Sequence, residues 1–136
     1  MIGLLEVLGP FAAYLALFVR VWVGANFIGH SRLKLRGKAR EGALQWMKGM
    51  GMPAAAVTAA TALELVGGIF LIVGFIVPAV ALLFAIEMLS TSALRRTKMK
   101  DKYLGGYELD MGYFVLAIVL IVLGAGALSV DQLIGF

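Results

Sequence analysis

The sequence predicts an all-α integral membrane protein, built as an antiparallel bundle of four helices in a single domain, residues 1–136. Of these residues, 62% are hydrophobic and 15% are charged, whereas soluble domains carry about 25% charged residues. Four apolar stretches are each long enough to cross a hydrocarbon core of about 30 Å, which takes roughly 20 helical residues. None of them alternates between apolar and polar residues with a period of two, so they are helices rather than barrel strands.

The four helices are predicted at about residues 11–29, 54–77, 78–94 and 107–130. The second and the third meet with almost no loop between them. Gly74 can adopt the left-handed backbone conformation that ends many helices, and Pro78 suits the first turn of the helix that follows. These two helices are therefore expected to form a tight antiparallel hairpin.

The basic residues define the predicted orientation in the membrane. Eleven of the 12 Lys and Arg residues lie in two polar connections, residues 31–53 and 95–106, which fall on the same side of a four-helix bundle. The positive-inside rule places that side in the cytoplasm and both termini outside. Basic residues at helix ends also suit anionic lipid headgroups, and no nucleic-acid-binding motif accompanies them. The predicted partner is the lipid bilayer and not a nucleic acid.

A short amphipathic helix is predicted inside the first connection, at about residues 39–50. Its apolar side chains fall near one face: Ala43, Leu44, Trp46, Met47 and Met50. Such a helix lies in the headgroup layer of a membrane, with a tryptophan as its anchor at the interface.

Three ionisable residues interrupt the apolar stretches: Arg20, Glu64 and Glu87. A charge at the bilayer centre costs about 2.5–3.5 kcal/mol on insertion scales, so such residues indicate a functional site by default. Counted from the cytoplasmic helix ends at 1.5 Å per residue, all three lie about 10–15 Å deep and are expected in one layer. Two interpretations stay open: a structural ion pair between Arg20 and a carboxylate, or a site that binds the polar head of a ligand or carries a proton.

Other candidate groups are few. Glu108 and Asp110 open the fourth helix, where acids complement the positive helix end. Glu108 is the fourth candidate for ligand or proton binding, although a capping role explains it as well. The chain has no cysteine and a single histidine, His30, whereas zinc and haem sites use more nitrogen or sulfur ligands. No metal site, no intrinsic cofactor and no catalytic motif are therefore expected.

Several short motifs follow one another in order along the chain. Helix one contains Arg20 and Gly24, spaced Arg-x-x-x-Gly, and Gly-Met-Pro at 51–53 opens the second helix. Residues 64–74 read Glu-Leu-Val-Gly-Gly-Ile-Phe-Leu-Ile-Val-Gly, and Tyr-Glu at 107–108 opens the fourth helix. In their order and spacing these motifs resemble those of the DoxX family of small four-helix membrane proteins.

The resemblance implies a membrane function without choosing a single activity. Members of the family include subunits of a thiosulfate:quinone oxidoreductase, proteins that accompany respiratory or oxidative-stress systems, and eukaryotic proteins of membrane-protein trafficking or receptor assembly. The leading expectation is an accessory or ligand-binding subunit of a quinone-linked membrane redox system. In that hypothesis Arg20 polarises a carbonyl oxygen of the quinone, and Glu64 or Glu87 exchanges the proton.

Two alternatives belong to other functional classes. The first is a non-catalytic membrane scaffold or assembly factor, whose small-residue helix faces pack against a partner. The second is a small-molecule transporter, which with four helices would have to act as an oligomer. The expected protein partners are accordingly subunits of a redox complex or a second copy of the chain. The sequence leaves open whether the chain is an enzyme.

Overall fold

The computed structural model describes residues 3–136, with side chains from residue 7 onward. The described residues form six α-helices and no strand. The helices are α1 (Gly3–Leu33), α2 (Lys38–Gly49), α3 (Ala54–Val73), α4 (Val77–Thr97), α5 (Glu108–Leu123) and α6 (Val130–Ile134). Four segments are long and apolar enough to cross a membrane: those of α1, α3 and α4, and residues Tyr103–Leu123, which contain α5. The predicted all-α class with four spanning helices is therefore confirmed.

The first and the last of the four spanning helices, α1 and α5, differ in length from the predicted ones. Helix α1 extends beyond the predicted span at both ends, and Pro10 lies inside it. The predicted fourth helix was expected to reach residue 130, but α5 ends at Leu123. The reason is a run of left-handed backbone in the next residues, where Gly124, Gly126 and Leu128 have φ of 71°, 70° and 53°. Residues 124–129 consequently form an apolar but non-helical segment that leads into α6.

The helices pack in two pairs. The most extensive contacts join α1 to α3 and α4 to α5, and the pairs meet through α1–α5 and α3–α4 contacts. Close approach of α1 and α3 depends on two glycines, because a Cβ on Gly24 would lie 2.6 Å from the carbonyl oxygen of Gly68. The short α3–α4 turn is built as predicted: Gly74 is left-handed (φ 75°), and Pro78 stands in the first turn of α4.

An aromatic core holds the two pairs together. The ring of Phe27 on α1 stacks on that of Phe84 on α4, with 4.0 Å between the ring centres. The ring centre of Tyr113 on α5 lies 5.1 Å from that of Phe27. A second apolar cluster fixes α2, because Met47 and Met50 are buried against Val57 at the start of α3. Helix α2 therefore lies across one end of the bundle rather than extending into solvent.

The outward faces of the long helices are apolar. Phe18 is 74% exposed and Val122 is 78% exposed, and other large apolar side chains are exposed along α3 and α4. Soluble monomers rarely expose apolar surface on this scale. Together with the four spanning helices, this surface identifies a multi-pass protein surrounded by lipid.

Candidate functional site

A cavity of about 220 Å³ opens where the two helix pairs meet beneath α2. Its walls come from all five of the longer helices and from the residue just beyond α1. The charged lining residues are Lys34, Glu64, Glu87, Arg95 and Asp110, and the aromatic ones are Phe27, His30, Trp46 and Tyr113. The cavity thus combines flat apolar walls with charged groups, within the end of the bundle that carries the basic connections.

Glu64 on α3 is held by a lysine from the segment after α1. The ammonium Nζ of Lys34 donates to both carboxylate oxygens, at 2.7 Å to Oε1 and 2.8 Å to Oε2. Glu64 is only 4% exposed, so this pair supplies the compensation that a buried carboxylate requires. Arg40 holds the lysine segment in place by donating to the carbonyl oxygen of Lys34 at 3.0 Å.

Glu87 on α4 is in a different state from Glu64. Its Oε2 atom is buried and accepts no hydrogen bond within the described chain. The charged groups that face it are Glu64, Lys34 and Asp110. A carboxyl oxygen that is buried beside a cavity and lacks a partner is the kind of group that a ligand can satisfy, by donating to the ionised form or by accepting from the protonated one.

Arg95, near the end of α4, also lines the cavity. Its Nε donates to Asp101 Oδ2 at 2.8 Å, and its Nη1 donates to Asp110 Oδ2 at 3.2 Å. The guanidinium also lies 5.4 Å from the ring centre of Trp46 on α2, a distance at which a cation is attracted to an aromatic face. One side chain therefore joins α2, α4 and α5 at the cavity.

The charges around the cavity do not balance. Three carboxyl groups line it, whereas the only basic side chains that line it with a permanent charge are Lys34 and Arg95. Lys34 is committed to Glu64 and Arg95 to Asp110, so Glu87 is the acid without a cation of its own. Among the side chains of residues 7–136, no group of three or more His, Asp or Glu residues is placed to hold a metal ion.

Arg20 lies outside this cavity, in a second buried centre. It is 0% exposed, and each of its five N–H groups donates to a backbone carbonyl. The acceptors are Ala125 (2.9 Å), Leu71 (3.0 Å), Ile72, Ala127 (2.9 Å) and Leu128 (2.7 Å). Two of these carbonyls belong to the last turn of α3, where helices leave C=O groups unpaired. The others belong to the non-helical segment after α5, so Arg20 fastens that segment to α1 and α3.

The expectation that Arg20, Glu64 and Glu87 share one layer was therefore wrong. The contact between Gly24 and Gly68 sets the register of α1 on α3 and places Arg20 opposite residues 71–72. Those residues lie seven and eight positions beyond Glu64, which is about 10–12 Å along a helix. Counting from helix ends failed because α1 continues to Leu33, beyond its predicted end.

Glu108 also lies outside the cavity. It is exposed, and its Oε1 accepts a hydrogen bond from the backbone N–H of Gly105 at 2.8 Å. Its contact is thus with the turn that precedes α5. Of the four sequence candidates, the structure brings Glu64 and Glu87 together and separates Arg20 and Glu108 from them.

Sequence reasoning missed the part that Lys34, Arg95 and Asp110 play in the cavity. The two basic residues were assigned to membrane orientation, and Asp110 was assigned to helix capping. One signal could have found the pair of Arg95 and Asp110: in an antiparallel helix pair, the end of α4 lies beside the start of α5. Nothing comparable marks Lys34, because its position depends on the path of the chain after α1.

The sequence is similar to a known protein family and to a named bacterial protein. The profile of the DoxX family matches residues 15–95, a region that includes Lys34, Glu64 and Glu87. The chain is 29% identical to a protein of Bacillus subtilis (strain 168) named "Putative oxidoreductase CatD", over 118 residues that cover 87% of this chain and 85% of that protein. No solved structure matches it. Because the family profile covers more than half of the sequence, the chain belongs to the DoxX family.

Proposed function

We propose that this protein is an accessory subunit of a membrane redox system and binds the head group of a quinone in the cavity beneath α2. The observation that carries the proposal is the buried, unpartnered Oε2 atom of Glu87 at a cavity with aromatic walls. Ligand pockets usually combine apolar and aromatic walls with a few placed polar groups. The oxidoreductase name of the Bacillus relative supports a redox setting.

The residues present fit a quinone head group. Phe27, Trp46 and Tyr113 give the cavity aromatic walls against which a ring can pack, and Lys34 offers a donor to a ring oxygen. A quinone contributes the uptake of two electrons and two protons when it is reduced. In the proposal Glu87 exchanges a proton with the bound ring, and the Lys34–Glu64 pair orients a ring oxygen. Lys34 thereby takes the part that the sequence had suggested for Arg20, whose donors all bind carbonyls.

The proposed orientation follows the basic connections. Residues 31–53 and 95–106 face the cytoplasm because they carry eleven of the 12 Lys and Arg residues, and both termini then face outward. In this orientation α2 lies in the cytoplasmic headgroup layer with Trp46 beside the cavity, so the ligand enters from the cytoplasmic leaflet. The electrons come from a partner subunit, because a chain with no cysteine and one histidine offers few ligands for an electron-transfer cofactor.

The scaffold hypothesis has less support. It was suggested by the face of small residues on α3, where membrane helices pack closely. That face is used inside the chain at Gly68, where an added Cβ would lie 2.8 Å from the carbonyl oxygen of Gly24 on α1. A scaffold would bind a stoichiometric protein partner and would not respond to a ligand, so the binding experiment separates the two hypotheses.

Quenching of Trp46 fluorescence by menadione tests the proposal. The chain has two tryptophans, so a Trp22→Phe background leaves Trp46, which lines the cavity, as the reporter. We expect saturable quenching in the purified protein. Glu87→Leu should weaken the Kd about three- to tenfold, because it removes the carboxyl group that, when protonated, donates a hydrogen bond to a ring oxygen, and such a bond contributes about 0.5–1.5 kcal/mol.

Glu108→Leu is the matched control, since Glu108 is a carboxylate at the same end of the bundle but outside the cavity. It should leave the Kd unchanged. Quenching that does not saturate, or equal Kd values for the Glu87→Leu variant and the parent protein, would overturn the quinone proposal.

A further inference from the structure

A second cavity, of about 700 Å³, lies between α4 and the beginning of α5. It shares no lining residue with the cavity beneath α2. Leu89, Ser92 and Arg96 line it from α4 at spacings of three and four residues, so they lie on one face of that helix. Tyr103, Tyr107 and Met111 line it from the other side. We name this feature the α4–α5 groove.

Ser92 is the first sign that the groove takes a polar ligand. The residue is 4% exposed, and its Oγ atom is buried without a hydrogen-bond partner among the described residues. Other hydroxyls of the long helices, such as those of Thr58, Thr61 and Thr97, donate to the carbonyl four residues earlier. A buried hydroxyl without such a bond is costly, and a ligand oxygen in the groove would satisfy it.

Arg96 gives the groove its charge. Its neighbour Arg95 is committed to Asp101 and Asp110, whereas the exposed guanidinium of Arg96 forms no hydrogen bond or ion pair with the described side chains, residues 7–136, or with the described backbone. The segment from residue 95 to residue 102 contains five basic residues and one acid, Asp101. The polar end of the groove is therefore positive and complements an anion.

The turn before α5 completes the polar end. Gly105 has a φ of 73°, and Leu104 and Gly106 are also non-helical, so the chain folds back within residues 103–107. This brings the rings of Tyr103 and Tyr107 to 5.4 Å from each other at the groove. Tyrosine is enriched at membrane interfaces, where its ring meets acyl chains and its hydroxyl meets headgroups. Leu89 and Met111 make the rest of the groove apolar.

We infer that the α4–α5 groove binds an anionic membrane phospholipid, with the phosphate at Arg96 and Ser92 and an acyl chain along Leu89 and Met111. The guanidinium of Arg96 and the hydroxyl of Ser92 donate hydrogen bonds to phosphate oxygens, a geometry that guanidinium groups favour. The apolar end selects a lipid over a free phosphate ion. This site is independent of the proposed quinone site, because the two cavities have no residue in common.

Native mass spectrometry of the full chain in detergent micelles tests the inference, with dioleoylphosphatidylglycerol and dioleoylphosphatidylcholine as the two probes. We expect phosphatidylglycerol to be retained preferentially. Arg96→Gln should reduce its apparent affinity about tenfold, because a charge-assisted contact is lost together with a surface charge. Lys98→Gln is the matched control: it removes the same charge from the same segment but does not line the groove, and it should change the affinity less than about threefold.

Ser92→Ala separates binding from folding. Because the hydroxyl has no partner among the described residues, the variant should keep or raise its Tm while its affinity for phosphatidylglycerol falls about threefold. Equal losses of affinity for phosphatidylglycerol in Arg96→Gln and Lys98→Gln would overturn the inference. Equal retention of the two lipids by the unmodified protein would overturn it as well. Displacement of the lipid by millimolar inorganic phosphate would also overturn it, by assigning the groove to a soluble anion.

Discussion

Two buried charged centres lie at different heights in this bundle, and they differ in how completely their polar groups are paired. At the centre around Arg20, five N–H donors meet backbone carbonyls and no atom of the guanidinium is left over. At the cavity, three carboxyls face two cations, and Glu87 Oε2 has no partner in the described structure. Charge inside a membrane helix therefore does not by itself mark a binding site. In our proposal, incomplete pairing beside a cavity is the feature that distinguishes a binding site from a structural charge.

The largest expected effect is that of Arg20→Gln. The substitution leaves buried carbonyls of α3 and of residues 124–129 without donors, so the free energy of unfolding should fall by about 3–5 kcal/mol, as when a buried charged network is broken. The Tm of the purified protein should fall by about 10 °C or more. Arg20→Lys should recover only part of this loss, because an ammonium has three donors and lacks the planar geometry.

The control for this substitution is Arg32→Gln on the same helix, where the arginine is exposed and its side chain forms no hydrogen bond within the described residues. Its Tm should match that of the parent protein. A stable Arg20→Gln variant that has lost quinone binding would reverse the comparison, since Arg20 would then serve the ligand and not the fold.

A smaller effect is expected for the ion pair of the cavity. Lys34→Met leaves the carboxylate of Glu64 buried without its cation, and the free energy of unfolding should fall by about 2 kcal/mol, less than for a fully buried pair because Lys34 is 23% exposed. The double variant Lys34→Met/Glu64→Gln should be more stable than Lys34→Met alone. The parent protein, the variants Lys34→Met and Glu64→Gln, and the double variant form a double-mutant cycle. Thermal unfolding of these four proteins should give a coupling energy of about 1–2 kcal/mol. Additive effects would show that the pair contributes nothing to the fold.

Much of the architecture was predictable because it depends on local properties of the sequence. Apolar length and helical periodicity identified the four spanning helices, and Gly74 and Pro78 identified the turn between α3 and α4. The end of α5 was missed because residues 124–130 are apolar and small, like a helix interior. Gly124 and Gly126 were the available signal, since both adopt a positive φ and glycine tolerates that conformation best.

The candidate site was predicted only in part, because it depends on register. Glu64 and Glu87 were identified since a charge in an apolar stretch stands out in the sequence. Their separation from Arg20 follows from the contact between Gly24 and Gly68, which no count along a single helix can supply. The part played by Lys34 was equally hidden, because a basic residue just beyond a helix end is also what membrane orientation requires.

The smallest loss of stability is expected for substitutions of Asp131. They test directly whether the centre around Arg20 depends on hydrogen bonds or on a counter-charge. This acid is 3% exposed, and its carboxylate accepts from the backbone N–H groups of Ile76 and Val77 at 2.6 and 3.0 Å, at the start of α4. It also neighbours Arg20, so it could serve either as a cap or as a counter-charge. Asp131→Asn removes the charge and keeps one acceptor, whereas Asp131→Ala removes both acceptors.

If hydrogen bonding holds this centre, Asp131→Ala should lower the free energy of unfolding by about 1–2 kcal/mol, as expected for the loss of a helix cap, and Asp131→Asn by less than 1 kcal/mol. Gln132→Ala, at an exposed neighbour, is the control and should have no effect on the Tm. An Asp131→Asn variant as unstable as Arg20→Gln would mean that Arg20 depends on a counter-charge and not on its five carbonyls. Both centres would then depend on the balance of opposite charges, and the completeness of hydrogen bonding would no longer distinguish the cavity from the structural centre around Arg20.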